Sequence, residues 1–219
     1  MSEYLAQKHT LYAQVGRVSR ALGQKTRLEI IEILAQAPRS VETIASLLQT
    51  DIKSVSQHLQ VLVETGLLTV ERKGRFRWYA VRCQEVLQLA VLLRSTAEML
   101  LGDPQTNVKD ELSLSEGLSL ARQGRLQLID VRPFEEFQSG HLAGALSMPL
   151  ASLSETITKL DSETPAAAYC RSPYCFLAQQ AQEIFAKHGK TLYVLSDGVQ
   201  DWKASSPELL TVSTDSEES

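Results

Sequence analysis

The sequence has few cysteines and no long apolar run, and both shortages exclude classes of protein. Its 219 residues include three cysteines, an odd and small number that argues against a disulfide scaffold and suits a reducing compartment. No apolar run approaches the roughly 18–20 residues that a membrane-spanning helix needs. The N-terminus lacks a basic segment followed by an apolar core, so we predict no signal peptide. We therefore expect a cytoplasmic protein with no membrane partner.

Charge is unevenly distributed along a chain of otherwise ordinary globular composition. Hydrophobic residues make up 43% and charged residues 22%, and the length allows one or two domains. Residues 1–101 hold 13 Lys and Arg against 9 Asp and Glu, whereas the remainder holds 9 against 17. A basic half joined to an acidic half indicates one module that faces nucleic acid and another with different chemistry.

The turn-forming segment 102–107 predicts a domain boundary. We predict a DNA-binding and dimerisation domain over residues 1–103, a second domain over 104–205, and a disordered acidic tail over 206–219.

The apolar periodicity of the first half predicts mostly helices. In order, we expect a helix over 15–37, a short helix capped by Ser40, a helix from Thr50 to Gly66, two strands turning at Lys73-Gly74, and a helix over 85–101. In the second half, strands over 126–131, 166–169 and 191–195 alternate with helices over 113–123, 153–160 and 176–188. Such alternation predicts an α/β domain with a parallel sheet.

Two short helices followed by a strand pair predict a winged helix-turn-helix, whose second helix enters the DNA major groove. The candidate contacts on that helix are Lys53, Ser54, Ser56, Gln57 and His58. The predicted wing tip carries four cations, Arg72, Lys73, Arg75 and Arg77, which suit phosphates or the minor groove. The alternative is that the helix residues form an ordinary solvated face. We predict a double-stranded DNA operator as partner.

Three segments of this half resemble the ArsR (SmtB/ArsR) family of bacterial repressors: 21–34, 54–62 and the Gly-Leu-Leu at 66–68. The similarity covers about residues 12–101. It implies a homodimer joined through the first and last helices, with the stripe Val86–Leu100 at the interface; the alternative is that this stripe is core.

Metal-sensing members use cysteines near the recognition helix or Asp and His on the last helix. Residues 42–60 lack cysteine and residues 85–101 lack His and Asp, so we predict no metal and no cofactor.

Four segments of the second half resemble rhodanese domains, which are sulfurtransferases: 128–137, 140–149, 169–175 and 197–203. The resemblance covers about residues 110–205 and implies that Cys170 accepts a sulfane sulfur. Cys170 ends an apolar strand before a helix that begins near Phe176, so loop N–H groups and the helix dipole should favour a thiolate or persulfide there. Arg171 adds a charge that can bind an anionic donor such as thiosulfate or polysulfide. The alternative is a buried cysteine at a strand end.

The remaining candidates support or modify this loop. The resemblance implies that Asp130 and Arg132 brace it, and we expect His141 to be a structural turn residue and Cys83 a small buried one. The active-site loop Ser172, Pro173 and Tyr174 departs from the family pattern, because Pro173 and Cys175 replace a glycine and an arginine. Pro173 removes an N–H donor. Cys175 either resolves a persulfide on Cys170 or packs at the helix start.

Taken together, these motifs predict a DNA-binding transcriptional regulator, a repressor, whose rhodanese module accepts sulfane sulfur on Cys170 and gates DNA binding. The alternatives are an active sulfurtransferase tethered to a DNA-binding domain without signalling, and an inactive rhodanese that serves as a ligand or partner module.

Overall fold

Helices dominate the first half of the computed structural model, which describes residues 3–102, 110–161 and 163–212. The helices are α1 Glu3–Leu22, α2 Lys25–Gln36, α3 Val41–Leu47, α4 Ile52–Glu64 and α5 Gln84–Leu101. The strands β1 Arg39–Ser40, β2 Leu68–Lys73 and β3 Phe76–Val81 form an antiparallel sheet in the order β1-β3-β2. This arrangement confirms the predicted winged helix-turn-helix.

Local capping explains where the two central helices begin. The Ser40 hydroxyl accepts a hydrogen bond from the Thr43 N–H at 3.3 Å, and the Asp51 carboxylate accepts one from the Ser54 N–H at 2.8 Å. Each interaction satisfies an amide that the first turn of a helix leaves without a partner. Val55, Leu59 and Leu62, which recur on one face of α4, are fully buried, as the periodicity predicts.

The single helix predicted over 15–37 is wrong. The chain leaves helical geometry after Leu22, and the extended Gln24 caps α2 by accepting from the Arg27 N–H at 3.0 Å. Apolar residues on both sides of the break are buried. The apolar pattern therefore continues across a turn that only the Gly23-Gln24 pair marks.

The second half is an α/β unit around a parallel sheet. Its elements are β4 Glu111–Leu112, α6 Leu114–Arg122, β5 Gln127–Asp130, α7 Phe134–Gln138, β6 His141–Leu142, β7 Leu146–Ser147, α8 Leu153–Thr156, β8 Ala166–Tyr169, α9 Phe176–Lys187, β9 Leu192–Leu195, α10 Val199–Ser205 and β10 Leu210–Thr211. The five-stranded sheet has the order β4-β9-β8-β5-β7, with all pairs parallel. The predicted α/β class is confirmed.

The central strand β8 is buried along its whole length and separates two apolar layers. Ala166 and Ala168 pack in the layer that contains Phe185 of α9, whereas Ala167 and Tyr169 pack in the layer that contains Trp202 of α10. Small side chains let helices approach both faces of this strand closely. None of the helices in the described ranges has both the length and the apolarity that crossing a bilayer requires.

Domain limits differ in detail from the sequence expectation. The chain divides into two compact units, Met1–Leu93 and Arg94–Ser219, so the division falls within α5, and the predicted boundary at residue 103 stays a prediction. The predicted disordered tail is wrong for its first residues, because β10 pairs antiparallel with β6. Such a two-residue strand depends on a partner far away in the sequence, which composition does not reveal. Residues 213–219 of the predicted tail lie outside the described residues.

Candidate functional site

The polar face of α4 lies opposite its buried apolar face. Lys53, Ser56 and Gln57 are exposed, and Ser54 and His58 are half-buried. The Ser56 hydroxyl donates to the Ile52 carbonyl at 2.7 Å. All five predicted DNA-contacting residues are thus at least partly exposed to solvent, and their contact with DNA stays a prediction.

The turn between β2 and β3 places four cations at the tip of the wing. Gly74 has a φ of +63°, a left-handed conformation that glycine adopts without strain. The residues Arg72, Lys73, Arg75 and Arg77 are all exposed. Arg72 donates to the Gly74 carbonyl at 3.1 Å, and Arg75 lies over the Phe76 ring at 4.9 Å. Glu71 offsets part of this charge, since its carboxylate is 3.4 Å from the Lys73 ammonium.

The second candidate site is the loop that follows β8. Cys170 lies at the carboxyl end of this strand and is 3% exposed, and the loop runs directly into α9. This is the strand–loop–helix order that the sequence predicts. Because α9 is 12 residues long, its N-terminus directs a positive dipole end towards the loop.

The first residues of α10 hold the cysteine end of this loop. The Val199 N–H donates to the Cys170 carbonyl at 3.0 Å, and the Gln200 N–H donates to the Arg171 carbonyl at 2.9 Å. Gly198 makes this approach feasible, because a Cβ there would lie 2.4 Å from the Ser172 nitrogen. The motif at 197–203 therefore contributes backbone contacts to the loop.

Cys170 and Cys175 are joined by a disulfide across the loop, with their Cα atoms 6.2 Å apart. The Cys175 N–H donates to the Ser172 carbonyl at 3.1 Å, which closes the turn. Cys175 is also half-buried and packs against the apolar layer beside the loop. Both sequence-based interpretations of Cys175 thus have a structural counterpart, and its role as a resolving thiol stays a prediction.

Arg171 has an ionic partner that the sequence analysis missed. Its guanidinium donates two hydrogen bonds to the Glu136 carboxylate of α7, at 2.9 and 2.7 Å. The Glu136 side chain is 3% exposed and that of Arg171 20% exposed. Much of the positive charge that the sequence assigns to an anionic donor is therefore shared with a buried carboxylate. The acidic pair Glu135-Glu136 was visible in the sequence, but nothing there indicated which loop it would meet.

Asp130 and Arg132 form a fully buried ion pair at the carboxyl end of β5. The Arg132 guanidinium donates to both Asp130 carboxylate oxygens, at 2.9 Å and 2.5 Å. It also donates to the Gly140 carbonyl at 2.7 Å. Such multiple bonding is what a buried arginine needs to offset its desolvation. These bonds join the end of β5 to the turn before β6, and bracing of the Cys170 loop stays a prediction.

The structure agrees with the prediction for His141 and contradicts the one for Cys83. The Nδ1 of His141 lies 2.9 Å from the Phe137 carbonyl oxygen, and its ring stacks on the Phe137 ring at 3.7 Å, which fits a structural turn residue. The prediction that Cys83 is buried is wrong, because this free cysteine is exposed. It lies in the connection between β3 and α5, and its side-chain hydrogen bond lowers the pKa of the Glu85 carboxyl.

Burial changes the ionisation of three groups near this part of the fold. Burial, followed by the charge of Arg132, lowers the pKa of Lys203 on α10 to about 8. Burial and the nearby Asp201 raise the pKa of Asp197, just before α10. Burial also raises the pKa of Tyr169 far above its usual range, so its hydroxyl stays neutral while accepting from the Leu142 N–H at 3.1 Å. All three lie in the segments 169–175 and 197–203 that resemble rhodanese domains, but sequence analysis singled out none of them as a site residue.

Comparisons with known proteins agree with the two halves of this architecture. A helix-turn-helix domain family matches residues 22–71, and the rhodanese-like domain family matches residues 113–205. The HTH-type transcriptional regulator Rv0324 of Mycobacterium tuberculosis is 34% identical over 203 residues, which cover 90% of each chain. The chain belongs to this regulator family. It is a transcriptional regulator in which a helix-turn-helix domain is fused to a rhodanese-like domain.

Other relatives match one half of this regulator. The thiosulfate sulfurtransferase GlpE of Coxiella burnetii is 31% identical over 99 residues, 44% of this chain and 90% of that protein. The homodimeric winged helix-turn-helix DNA-binding domain Mb0332 of Mycobacterium bovis is 33% identical, with a TM-score of 0.43, over 47% of this chain and 92% of that one.

Proposed function

We propose that this regulator is a cytoplasmic repressor that binds a double-stranded DNA operator and whose affinity for that operator responds to sulfane sulfur accepted at Cys170. One observation carries the proposal. Cys170 lies at the carboxyl end of β8, in a loop anchored by α10 that leads into the N-terminus of α9, and this loop belongs to the same chain as an exposed DNA-binding surface.

The chemistry at Cys170 is nucleophilic and begins once the disulfide has been reduced. The Cys170 thiolate attacks the outer sulfur of thiosulfate, the sulfur–sulfur bond of the donor breaks, and sulfite leaves with the bonding electron pair. An inorganic polysulfide reacts in the same way and leaves as a shorter chain. The N-terminus of α9 favours the anionic forms of both the thiol and the persulfide.

DNA binding uses the solvent face of α4 and the tip of the wing. Gln57 suits an adenine, Ser54 and Ser56 suit base or phosphate contacts, and the cations of helix and wing suit phosphates.

We propose that the repressor is a homodimer. Exposed apolar side chains on α1 and α5 support this, among them Tyr4, Leu11, Tyr12, Leu92 and Leu93. A second copy of the chain that covered both helices would remove this apolar surface from water.

Sulfur loading needs to change the free energy of DNA binding only modestly. A coupling of about 1–3 kcal/mol between the sulfur site and the DNA site changes affinity by roughly 5- to 150-fold. A persulfide extends the Cys170 side chain by one sulfur atom and carries its negative charge on that outer atom, in the loop that also holds the Arg171–Glu136 pair.

The test is fluorescence anisotropy on DNA taken from the regulator's own upstream region, at one fixed salt concentration. Reduced protein and protein treated with thiosulfate or polysulfide should differ in affinity by about tenfold or more, or about 1.4 kcal/mol. Cys170→Ser should abolish the difference, whereas the matched control Cys83→Ser should keep it. Equal affinities for treated and reduced protein would contradict sulfur gating.

The similarity to a thiosulfate sulfurtransferase favours a second candidate, an active enzyme tethered to DNA without signalling. Thiocyanate formation from thiosulfate and cyanide tests for it. Thiocyanate formation without any change in DNA affinity would support the enzyme. Absence of thiocyanate, of a Cys170 adduct and of an affinity change would support an inactive rhodanese that serves as a ligand or partner module.

A further inference from the structure

The disulfide brings the sulfur of Cys175 within bonding reach of the sulfur of Cys170. The two cysteines are bonded across a short turn, and Cys170 itself is 3% exposed. Its side chain packs in the apolar layer with Ile129 and Met148. A persulfide at this position is therefore shielded from bulky acceptors, while the Cys175 thiol is close enough to react.

The contacts of the loop differ between its two ends. At the first end, α10 binds the carbonyls of Cys170 and Arg171, and Glu136 binds the Arg171 guanidinium. At the second end, Cys175 is half-buried, and its neighbours Tyr174 and Phe176 are exposed. The nucleophile is thus held in place, and the second thiol lies on the more open side of the loop.

We propose that Cys175 resolves the Cys170 persulfide and releases sulfide, so that this loop reduces sulfane sulfur. The inference rests on the proposed function, namely that Cys170 accepts sulfane sulfur. In the first step, the Cys170 thiolate takes the outer sulfur from a donor, and the donor remainder leaves as sulfite or a thiolate. In the second step, the Cys175 thiolate attacks the Sγ of Cys170, a disulfide forms, and the outer sulfur leaves as hydrosulfide with the electron pair.

Electrons balance over the two steps. Two thiols are oxidised to one disulfide, and the sulfane sulfur is reduced to sulfide, so no outside oxidant is needed. A small or protein dithiol then reduces the disulfide for another turn. Thiosulfate, alkyl persulfides and polysulfides are the donor class, and no sulfur acceptor beyond the loop is required.

The experiment is a single turnover of the full chain, reduced and freed of reductant, with thiosulfate whose outer sulfur carries a heavy isotope. Sulfite is a distinct leaving group, so any labelled sulfide must come from the second step. Wild type and Cys83→Ser should release about one sulfite and one labelled sulfide per chain and end with the Cys170–Cys175 disulfide, read by mass spectrometry. Cys175→Ser should release sulfite alone and retain labelled persulfide on Cys170.

Two outcomes overturn the inference without touching the proposed function: labelled persulfide that persists on wild-type Cys170, or equal sulfide release from wild type and Cys175→Ser. In either case a shift in DNA affinity on loading would leave sulfur gating intact. If neither thiosulfate nor glutathione persulfide loads Cys170 in wild type or Cys175→Ser, both the inference and the proposed function fail.

Discussion

Replacing Gly198 with alanine tests how α10 holds the reactive loop. Gly198 has φ −122° and ψ 176°, an extended conformation that any residue adopts, so alanine would meet no backbone penalty there. Its Cβ, however, would lie 2.4 Å from the Ser172 nitrogen and 2.5 Å from the Arg171 carbonyl carbon. Both neighbours are backbone atoms and cannot rotate away, so the loop and α10 must separate.

The cost has two parts. Overpacking of a close contact destabilises by about 1–3 kcal/mol. Separation also stretches the two hydrogen bonds from Val199 and Gln200, each worth about 0.5–1.5 kcal/mol. We therefore expect Gly198→Ala to lower the free energy of unfolding of the second unit by about 2–6 kcal/mol and to increase alkylation of Cys170 in the reduced protein.

Urea unfolding and the rate of Cys170 alkylation measure these two effects. The matched control is Gly144→Ala, since Gly144 has a φ of +79° but open space around its Cβ position. That variant should cost about 1–2 kcal/mol from the left-handed backbone alone and leave Cys170 reactivity unchanged. A Gly198→Ala protein as stable as wild type, with unchanged Cys170 reactivity, would refute the account of loop anchoring.

Three further predictions concern charge. Glu136→Gln should lower the free energy of unfolding, measured by urea titration, by about 2–3 kcal/mol. This loss is smaller than the usual cost of breaking a buried ion pair because Arg171 is partly exposed. The folded-state pKa of Lys203, about 8 against the ordinary 10.5, means that the folded protein releases this proton before the unfolded chain does. Urea unfolding midpoints measured at several pH values should therefore show that wild type becomes more stable relative to Lys203→Met as the pH rises from about 8 to 10.5. Arg75→Gln should reduce the dependence of log affinity on log salt by about one unit in an anisotropy salt series.

Each of these has an outcome that contradicts it. Glu135→Gln, at the exposed neighbour of Glu136, should be nearly neutral, and an equal loss from both variants would rule out the ion pair as the cause. Parallel pH profiles for wild type and Lys203→Met would mean that the lysine titrates normally. An unchanged salt dependence in Arg75→Gln would exclude a phosphate contact at that position.

Patterns that depend on neighbouring residues were predictable from the sequence. The buried face of α4 and its Asp51 cap follow from residues within a few positions of one another, and the wing follows from β-forming residues around a Lys-Gly turn. The resemblance of segment 169–175 to rhodanese domains implied the role of Cys170, and the direct succession of an apolar strand, a cysteine and a helix along the chain agreed with it.

Interactions between distant residues were not predictable in the same way. The pairing of Arg171 with Glu136 joins residues 35 positions apart, and that of Leu210 with Leu142 depends on two strands of two residues each. Gly198 allows the backbone before α10 to approach the backbone of Arg171 and Ser172 closely. The sequence motif contains this glycine but does not indicate which segment it approaches. Cys83 is exposed because it lies in the connection between β3 and α5. The general preference of cysteine for burial does not take that position into account.

The anchors of the reactive loop have a consequence for protein engineering. The contacts with α10 and α7 described above reach Cys170, Arg171 and Ser172, whereas the departures from the rhodanese pattern lie at Pro173 and Cys175. Pro173 can therefore be exchanged without removing the contacts that hold the nucleophile, whereas exchange of Cys175 would also remove the disulfide and its packing. A library confined to position 173 would return an N–H donor to the loop and should yield folded variants with altered sulfur chemistry, which would make the same scaffold a source of reporters for different reactive sulfur species.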